Sequence, residues 1–168
     1  AVGIGSFVTA FRFCQGSVFY TKQDIAARLA IPVYGMTLQP EGRGAQKSAL
    51  ARRQAELLEG GLRMLTEQYG EIVLVDASDG QEALAFVANI TERGLNNSEC
   101  FRVYDRKADT SVIQDTAFVA VIPFGRTYRE KITDEIQYVQ LRGGRVVGAV
   151  LVQAQTWWMR FYYAQGRS

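Results

Sequence analysis

Residues 115–153 read DTAFVAVIPFGRTYREKITDEIQYVQLRGGRVVGAVLVQ: an apolar run, a turn, a polar-rich segment, a double glycine and a second apolar run. The first run, Ala117–Ile122, contains no alternating polar residue, so both faces of the strand that it predicts should be covered, as in a central parallel strand. Pro123 has no N–H to donate to a sheet and should end that strand. The second run, Val146–Val152, predicts another buried strand. Two buried strands joined by a helix imply a right-handed parallel crossover.

The segment between the two runs has the pattern of an amphipathic helix. Thr127 and Glu130 have the spacing of a capping box, which predicts that the helix begins there. An apolar stripe follows at helical spacing: Tyr128, Ile132, Ile136 and Val139. Gly143–Gly144 supplies a left-handed stop. Asp134 and Glu135 are adjacent carboxylates on the predicted solvated side, and we assign them no chemistry.

Composition excludes several classes of function. A chain of 168 residues with 48% hydrophobic residues is long enough for one domain with its own core. The net charge of +2 gives no basic field, so we expect no nucleic-acid partner. The absence of histidine removes the commonest acid–base group and zinc ligand. No catalytic constellation is visible in the sequence, and we predict no catalytic residue, no metal ligand and no cofactor.

The two cysteines, Cys14 and Cys100, both lie in apolar stretches. Buried thiols of a reducing compartment are favoured over a disulfide between them.

The rest of the chain continues the alternation of strands and helices. The pattern predicts a short helix from Thr21 or Lys22, an extended segment 33–38, a polar linker 39–47, a helix 45–69, a strand 71–76, a helix 81–93 and a strand 101–104. Gly60–Gly61 interrupts the long helix, either as a break or as a close helix contact. The fold class is α/β, with a mostly parallel sheet of four or five strands flanked by helices.

Two stretches resemble bacterial polysaccharide chain-length determinant proteins, the polysaccharide co-polymerases, which often carry a fused tyrosine-kinase domain. The pair Asp24-Ile25 followed by Leu29–Gly35 (LAIPVYG) resembles their juxtamembrane segment. The stretch from Asp115 through Gly125-Arg126-Thr127 to Gly143–Leu151 resembles their kinase domain and the wider deviant-Walker ATPase group. The resemblance implies a trimmed P-loop NTPase-like fold.

The resemblance also implies an organisation and a cellular setting. Residues 1–38 would be a juxtamembrane segment, 39–47 a linker, and 48–168 a degenerate P-loop-like α/β domain. The domain would lie on the cytoplasmic face of a bacterial inner membrane, attached through a segment before Ala1. Its partners would be proteins of polysaccharide synthesis and export, and a homo-oligomer is a further expectation. Relatives use a helix rich in Glu and Arg to pack into rings, and only Glu59 and Arg63 match that pattern here.

The N-terminal stretch Ala1–Phe13 is apolar but too short to span a bilayer, which needs about 20 residues. One interpretation is a strand or short helix of the domain. The other is the cytoplasmic end of a membrane helix, with Arg12 on the inner side.

In the resemblance, the turn after strand 71–76 stands where a phosphate-binding loop would lie. Such a loop needs G-x-x-x-x-G-K-[ST], because backbone amides, the lysine and the hydroxyl hold phosphates and magnesium. The positions here are Asp79, Gly80, Gln81 and Glu82, with no Lys and no following Ser or Thr. Ser78 with Gln81, and Asp79 with Glu82, have capping-box spacing instead. We interpret the loop as degenerate, with its acids capping the helix.

The C-terminal tail, which we define as residues 157–163, is WWMRFYY. Trp157, Trp158, Tyr162 and Tyr163 are its candidate interaction residues. They fit an element that packs on the sheet, an exposed partner or membrane-interface patch, or a remnant of the tyrosine cluster that kinases of this family phosphorylate in trans.

Three functional hypotheses follow. The first is a non-catalytic domain of an exopolysaccharide chain-length determinant or export protein, acting through protein contacts. The second is an active ATPase or tyrosine kinase with a non-standard loop, using Arg93 or Arg106 in place of the lysine. The third is a soluble pseudo-ATPase adaptor. Residues 77–84 also resemble a turn of response-regulator receivers, but the acidic pair and the phosphorylated Asp of a receiver have no match.

Overall fold

The computed structural model describes residues 21–38, 47–94, 98–107, 113–125 and 129–154. In chain order the elements are α1 (Lys22–Leu29), β1 (Val33–Leu38), α2 (Lys47–Tyr69), β2 (Ile72–Val75), α3 (Gln81–Glu92), a 3₁₀ turn (Ser98–Cys100), β3 (Phe101–Val103), β4 (Ala117–Pro123), α4 (Arg129–Leu141) and β5 (Arg145–Ala154).

The five strands form one all-parallel sheet in the order β1-β5-β4-β2-β3. Strands β4 and β5 pair in parallel with α4 between them, which confirms the predicted strand–helix–strand unit. Every residue of β4 is buried, as expected for a strand covered on both faces. The α/β prediction is therefore confirmed, and the architecture is consistent with a P-loop-like α/β fold.

Two apolar clusters lie on opposite faces of the sheet. On one face, α1 and α4 cover the strands; the buried helix residues are Ile25, Ile132, Ile136 and Val139. On the other face, α2 and α3 do so; the buried helix residues are Leu58, Leu62, Leu65, Ala83, Phe86 and Ile90. Successive crossovers thus place helices on both faces, which explains why the central strands are apolar without alternation.

The first described segment, residues 21–38, packs with this sheet. Thr21 is the N-cap of α1, and its hydroxyl oxygen accepts a hydrogen bond from the Asp24 amide at 3.1 Å. Ile25 and Met36 are buried in the core. Strand β1 pairs with β5, so residues 21–38 pack in the same α/β unit as the domain that the resemblance begins at residue 48.

Helix α2 continues through Gly60–Gly61 without a break. A Cβ atom added to Gly61 would lie 2.7 Å from the carbonyl oxygen of Tyr34. Gly35 likewise faces the backbone of Leu58, where an added Cβ would be 2.7 Å from its Cα. The predicted break is therefore absent, and the close contact that is observed joins Gly61 to strand β1, while Gly60 has open space around it.

Several predictions fall outside the described residues: the N-terminal stretch 1–13, the helix start at Thr127, Cys14, and the C-terminal tail. Cys100 is a free, half-buried thiol. None of the helices within the described ranges is both long and apolar enough to cross a membrane.

Candidate functional site

A cleft of about 260 Å³ opens at the carboxyl ends of β2 and β3. Strand β2 lies between β3 and β4, so the chain reverses its direction across the sheet at this point. Ligands of open α/β sheets bind outside the carboxyl ends of the strands at such a switch point. The cleft is lined by Val75, Asp76, Asp79, Gly80, Tyr104, Asp105, Arg106, Lys107 and Glu135.

Asp76, the residue after β2, organises the turn that leads into α3. One carboxylate oxygen, Oδ1, accepts hydrogen bonds from the amides of Ser78 at 3.0 Å and Gly80 at 2.7 Å. The other, Oδ2, accepts from the Ser78 hydroxyl at 3.1 Å and the Ala83 amide at 2.8 Å. The side chain is only 6% exposed, so these four bonds take the place of water around a buried carboxylate.

The turn therefore has the shape of an anion-binding loop, with its anion supplied by the chain itself. Asp79 and Gly80 both have left-handed backbone conformations, with φ of 54° and 87°. Successive amides in such a turn, at the start of a helix, form a concave site that attracts anions. Here the amides of Gly80 and Ala83 donate to the Asp76 carboxylate at 2.7 and 2.8 Å.

The predicted loop residues are only partly brought to the cleft. Asp79 and Gly80 line it, whereas Gln81 and Glu82 do not. The predicted capping boxes are wrong: Gly80 is the N-cap and has no side-chain cap. The Ser78 hydroxyl accepts from the Glu82 amide at 3.2 Å, and Asp76 accepts from the amides of the turn. The capping group is the buried Asp76 rather than Asp79 or Glu82, because its carboxylate accepts hydrogen bonds from the Gly80 and Ala83 amides.

Of the two arginines that could take the place of the lysine, Arg106 lines the cleft. Its Nη1 atom is 3.1 Å from Oε1 of Glu135, and its guanidinium carbon lies 4.0 Å from the centre of the Tyr138 ring. The negative charge of Glu135 raises the pKa of Arg106. Glu135 therefore lines the cleft and forms an ion pair with Arg106. The prediction that it lies on the solvated side of the helix is wrong.

Arg93, the other candidate for the missing lysine, is at the wrong end of α3. It is the C-cap residue, while the cleft lies at the N-terminus. A helix of this length separates the two ends by roughly 18 Å, which is beyond the reach of an arginine side chain.

Tyr138 lies between two arginines beside the cleft. Arg142 Nη1 donates to its hydroxyl oxygen at 3.4 Å, and Arg106 stacks on its ring. Partial desolvation raises the pKa of Tyr138, but the hydrogen bonds from Arg142 and Arg106 outweigh it, and the pKa is lowered overall.

Asp76 is the functional residue that sequence reasoning missed. An aspartate directly after a buried strand, two residues before a serine amide and four before a glycine, has the spacing of an Asx turn. That spacing could have identified it. In a phosphate-binding loop the contacts would come from residues 79–82, and Asp76 would have no role.

Among the described residues, no group of three or more His, Cys, Asp and Glu side chains is placed to hold a metal ion. No protein-family model, no curated protein and no solved structure matches this chain.

Proposed function

We propose that this chain is a non-catalytic α/β domain that acts through protein contacts, as part of a polysaccharide chain-length determinant or export protein at the cytoplasmic face of a bacterial inner membrane. The observation that carries the non-catalytic part is the Asp76 carboxylate bound inside the turn before α3. The polysaccharide setting is supported by the resemblance of residues 24–35 and 115–151.

Nucleotide binding is opposed by both geometry and charge. A phosphate at the start of α3 would have to displace Asp76 from the Gly80 and Ala83 amides, which it contacts at 2.7 and 2.8 Å. Asp79 adds negative charge to the same cleft. Like charges held close together in a partly desolvated cleft repel strongly. The turn thus keeps the amides of a phosphate site, but these amides bind Asp76 of the same chain.

The experiment is calorimetric titration of the chain with Mg-ATP and Mg-ADP, with thermal unfolding measured alongside. We expect no heat and no change in melting temperature at millimolar nucleotide. A ligand that binds only the folded state raises its stability by mass action. A micromolar site with a raised melting temperature would therefore overturn the proposal.

A second candidate function, an active ATPase or kinase with a non-standard loop, is favoured by one observation: Arg106 and Lys107 line the cleft. In that case Arg106→Gln or Lys107→Gln would abolish nucleotide binding, whereas Arg93→Gln, at the far end of α3, would not. Arg106 is already stacked on Tyr138 and paired with Glu135, which is why the non-catalytic function ranks first.

The polysaccharide setting needs a separate test in cells. Deletion of the coding sequence in the source bacterium should change the length distribution of its surface polysaccharide, measured by gel electrophoresis. An unchanged distribution, together with no nucleotide binding, would favour an adaptor unrelated to polysaccharide.

A further inference from the structure

Helix α2 carries an apolar pair on the side that does not face the sheet. Leu57 and Met64 are 49% and 50% exposed. They lie two helical turns apart and therefore on the same side of the helix. The core-facing residues Leu58 and Leu65 are buried on a different side. Exposed apolar side chains in register along a helix are typical of a contact with another helix.

Gly60 lies between these two residues and is itself exposed. A Cβ atom added there would meet no atom of the described chain within 4 Å, in contrast to Gly61. A glycine inside a helix costs about 1 kcal/mol relative to alanine. No contact within the described ranges requires Gly60, but its bare backbone would let a second helix approach closely.

Opposite charges lie one turn beyond each apolar residue. Arg53 precedes Leu57, and Glu67 follows Met64; both are exposed, and neither forms an ion pair with another described residue. The two charges are equidistant from Gly60, about four turns apart, which is roughly 21 Å along the helix axis. A second copy of this helix, running in the opposite direction, would therefore place its Glu67 opposite Arg53 and its Met64 opposite Leu57. In this sense the stripe of Arg53, Leu57, Gly60, Met64 and Glu67 is self-complementary.

We propose that the α2 stripe, defined by those five residues, binds the same stripe of a second copy of this chain in an antiparallel arrangement. The twofold axis passes near Gly60. Leu57 of one copy then packs on Met64 of the other, and Arg53 faces Glu67 at both ends. An isologous contact of this kind uses the same patch on both subunits.

The contact does not use the Glu59–Arg63 ion pair. Those two side chains bind each other within the helix at 2.9 Å and lie beside the stripe. A stable interface buries about 1,200 Å² or more, and one pair of helices buries less, so the self-association is weak and concentration-dependent. The inference does not depend on the proposed function.

Sedimentation equilibrium of the full chain over a range of concentrations tests the proposal. We expect a reversible monomer–dimer equilibrium. Arg53→Glu places two glutamates together at both ends of the contact, and Glu67→Arg places two arginines together. Each should weaken dimerisation about tenfold, since surface ion pairs contribute up to about 1 kcal/mol each. Circular dichroism and urea unfolding verify that each variant is folded.

The mixture of the two single variants is the decisive sample. In the mixed dimer, one copy carries a glutamate at both charged positions of the stripe and the other carries an arginine at both, so every facing pair is attractive again. We expect the mixture, and also the double variant Arg53→Glu/Glu67→Arg, to recover wild-type affinity. The control Glu59→Arg/Arg63→Glu, which keeps its ion pair within the helix, should leave affinity unchanged.

Two results would overturn the proposal. A wild-type chain that stays monomeric at all concentrations would show that the stripe is not a self-contact. Dimerisation that the mixture fails to restore would exclude the antiparallel pairing.

Discussion

At the scale of single residues, Asp76 has the largest local role. Its carboxylate joins strand, turn and helix through four hydrogen bonds in the turn after β2. Hydrogen bonds to a charged group are worth more than those between neutral groups, and a buried amide left without an acceptor is costly.

Replacing Asp76 by alanine should therefore lower the free energy of unfolding by about 3 kcal/mol, because the amides of Gly80 and Ala83 lose their buried acceptor. Urea denaturation followed by circular dichroism measures this. The matched control is Asp79→Asn, at an exposed position where asparagine also tolerates the left-handed backbone; its effect should stay within about 0.5 kcal/mol. Equal effects of the two substitutions would contradict the role given to Asp76.

Tyr34 should make the stability of the fold depend on pH. Burial raises its pKa, the neighbouring Tyr69 raises it further, and its hydroxyl donates to the Val147 carbonyl at 3.2 Å. Because the folded protein holds this proton more tightly, the contribution to stability is complete below the ordinary tyrosine value of 10.0 and is lost as the pH rises above it.

The urea midpoint of the wild-type chain should therefore fall more steeply above pH 10 than that of Tyr34→Phe. Tyr138→Phe is the control with the opposite sign, since the pKa of Tyr138 is lowered and its contribution is present above 10.0 but lost as the pH falls. Identical pH dependence in the wild type and Tyr34→Phe would show that Tyr34 has no such role.

At the scale of elements, the contact of α2 with β1 depends on small residues. Gly35 and Gly61 remove the side chains that would otherwise hold the helix away from the strand. Tyr34 packs against the same cluster as α2, and its ring lies over Gly148 of β5. The helix can therefore pack directly on backbone, which no periodicity of apolar residues would show.

The adjacent glycines of α2 give a matched pair of substitutions. Gly61→Ala should destabilise the fold by about 1–3 kcal/mol, because its Cβ would lie 2.7 Å from the Tyr34 carbonyl oxygen and backbone must shift. Gly60→Ala should stabilise it by up to about 1 kcal/mol, because helix propensity improves and space is open. Unfolding is measured on dilute samples. A stabilising Gly61→Ala would contradict the observed packing.

At the scale of the whole molecule, the N-terminal elements complete the sheet. Strand β1 is an edge strand that is distant in sequence from its partner β5. The Gln153 amide also donates to the Thr37 hydroxyl at 3.0 Å, so the two ends of the described chain are held together. The sheet is therefore completed by contacts between residues that are far apart in the sequence.

A chain truncated to begin at residue 39 should therefore lose cooperative unfolding, because α1 and β1, with Ile25 and Met36, leave the core. A chain that begins at Thr21 keeps both elements and should retain a single urea transition. If the shorter chain unfolds as sharply as the longer one, residues 21–38 are not part of the structural unit.

Sequence alone was enough for the α/β class, the strand–helix–strand unit from Ala117 to Val152, and the lack of a lysine in the turn before α3. These follow from local patterns, since continuous apolar runs, helical spacing and missing residue types can be read without knowing what contacts what. Only the tertiary structure decided that β1 joins the sheet, that Gly61 faces a carbonyl, and that Glu135 meets Arg106. It also showed that Asp76, rather than Asp79 or Glu82, binds the turn. Each of these depends on which distant segment lies alongside, and long-range pairing leaves no periodic trace in the sequence.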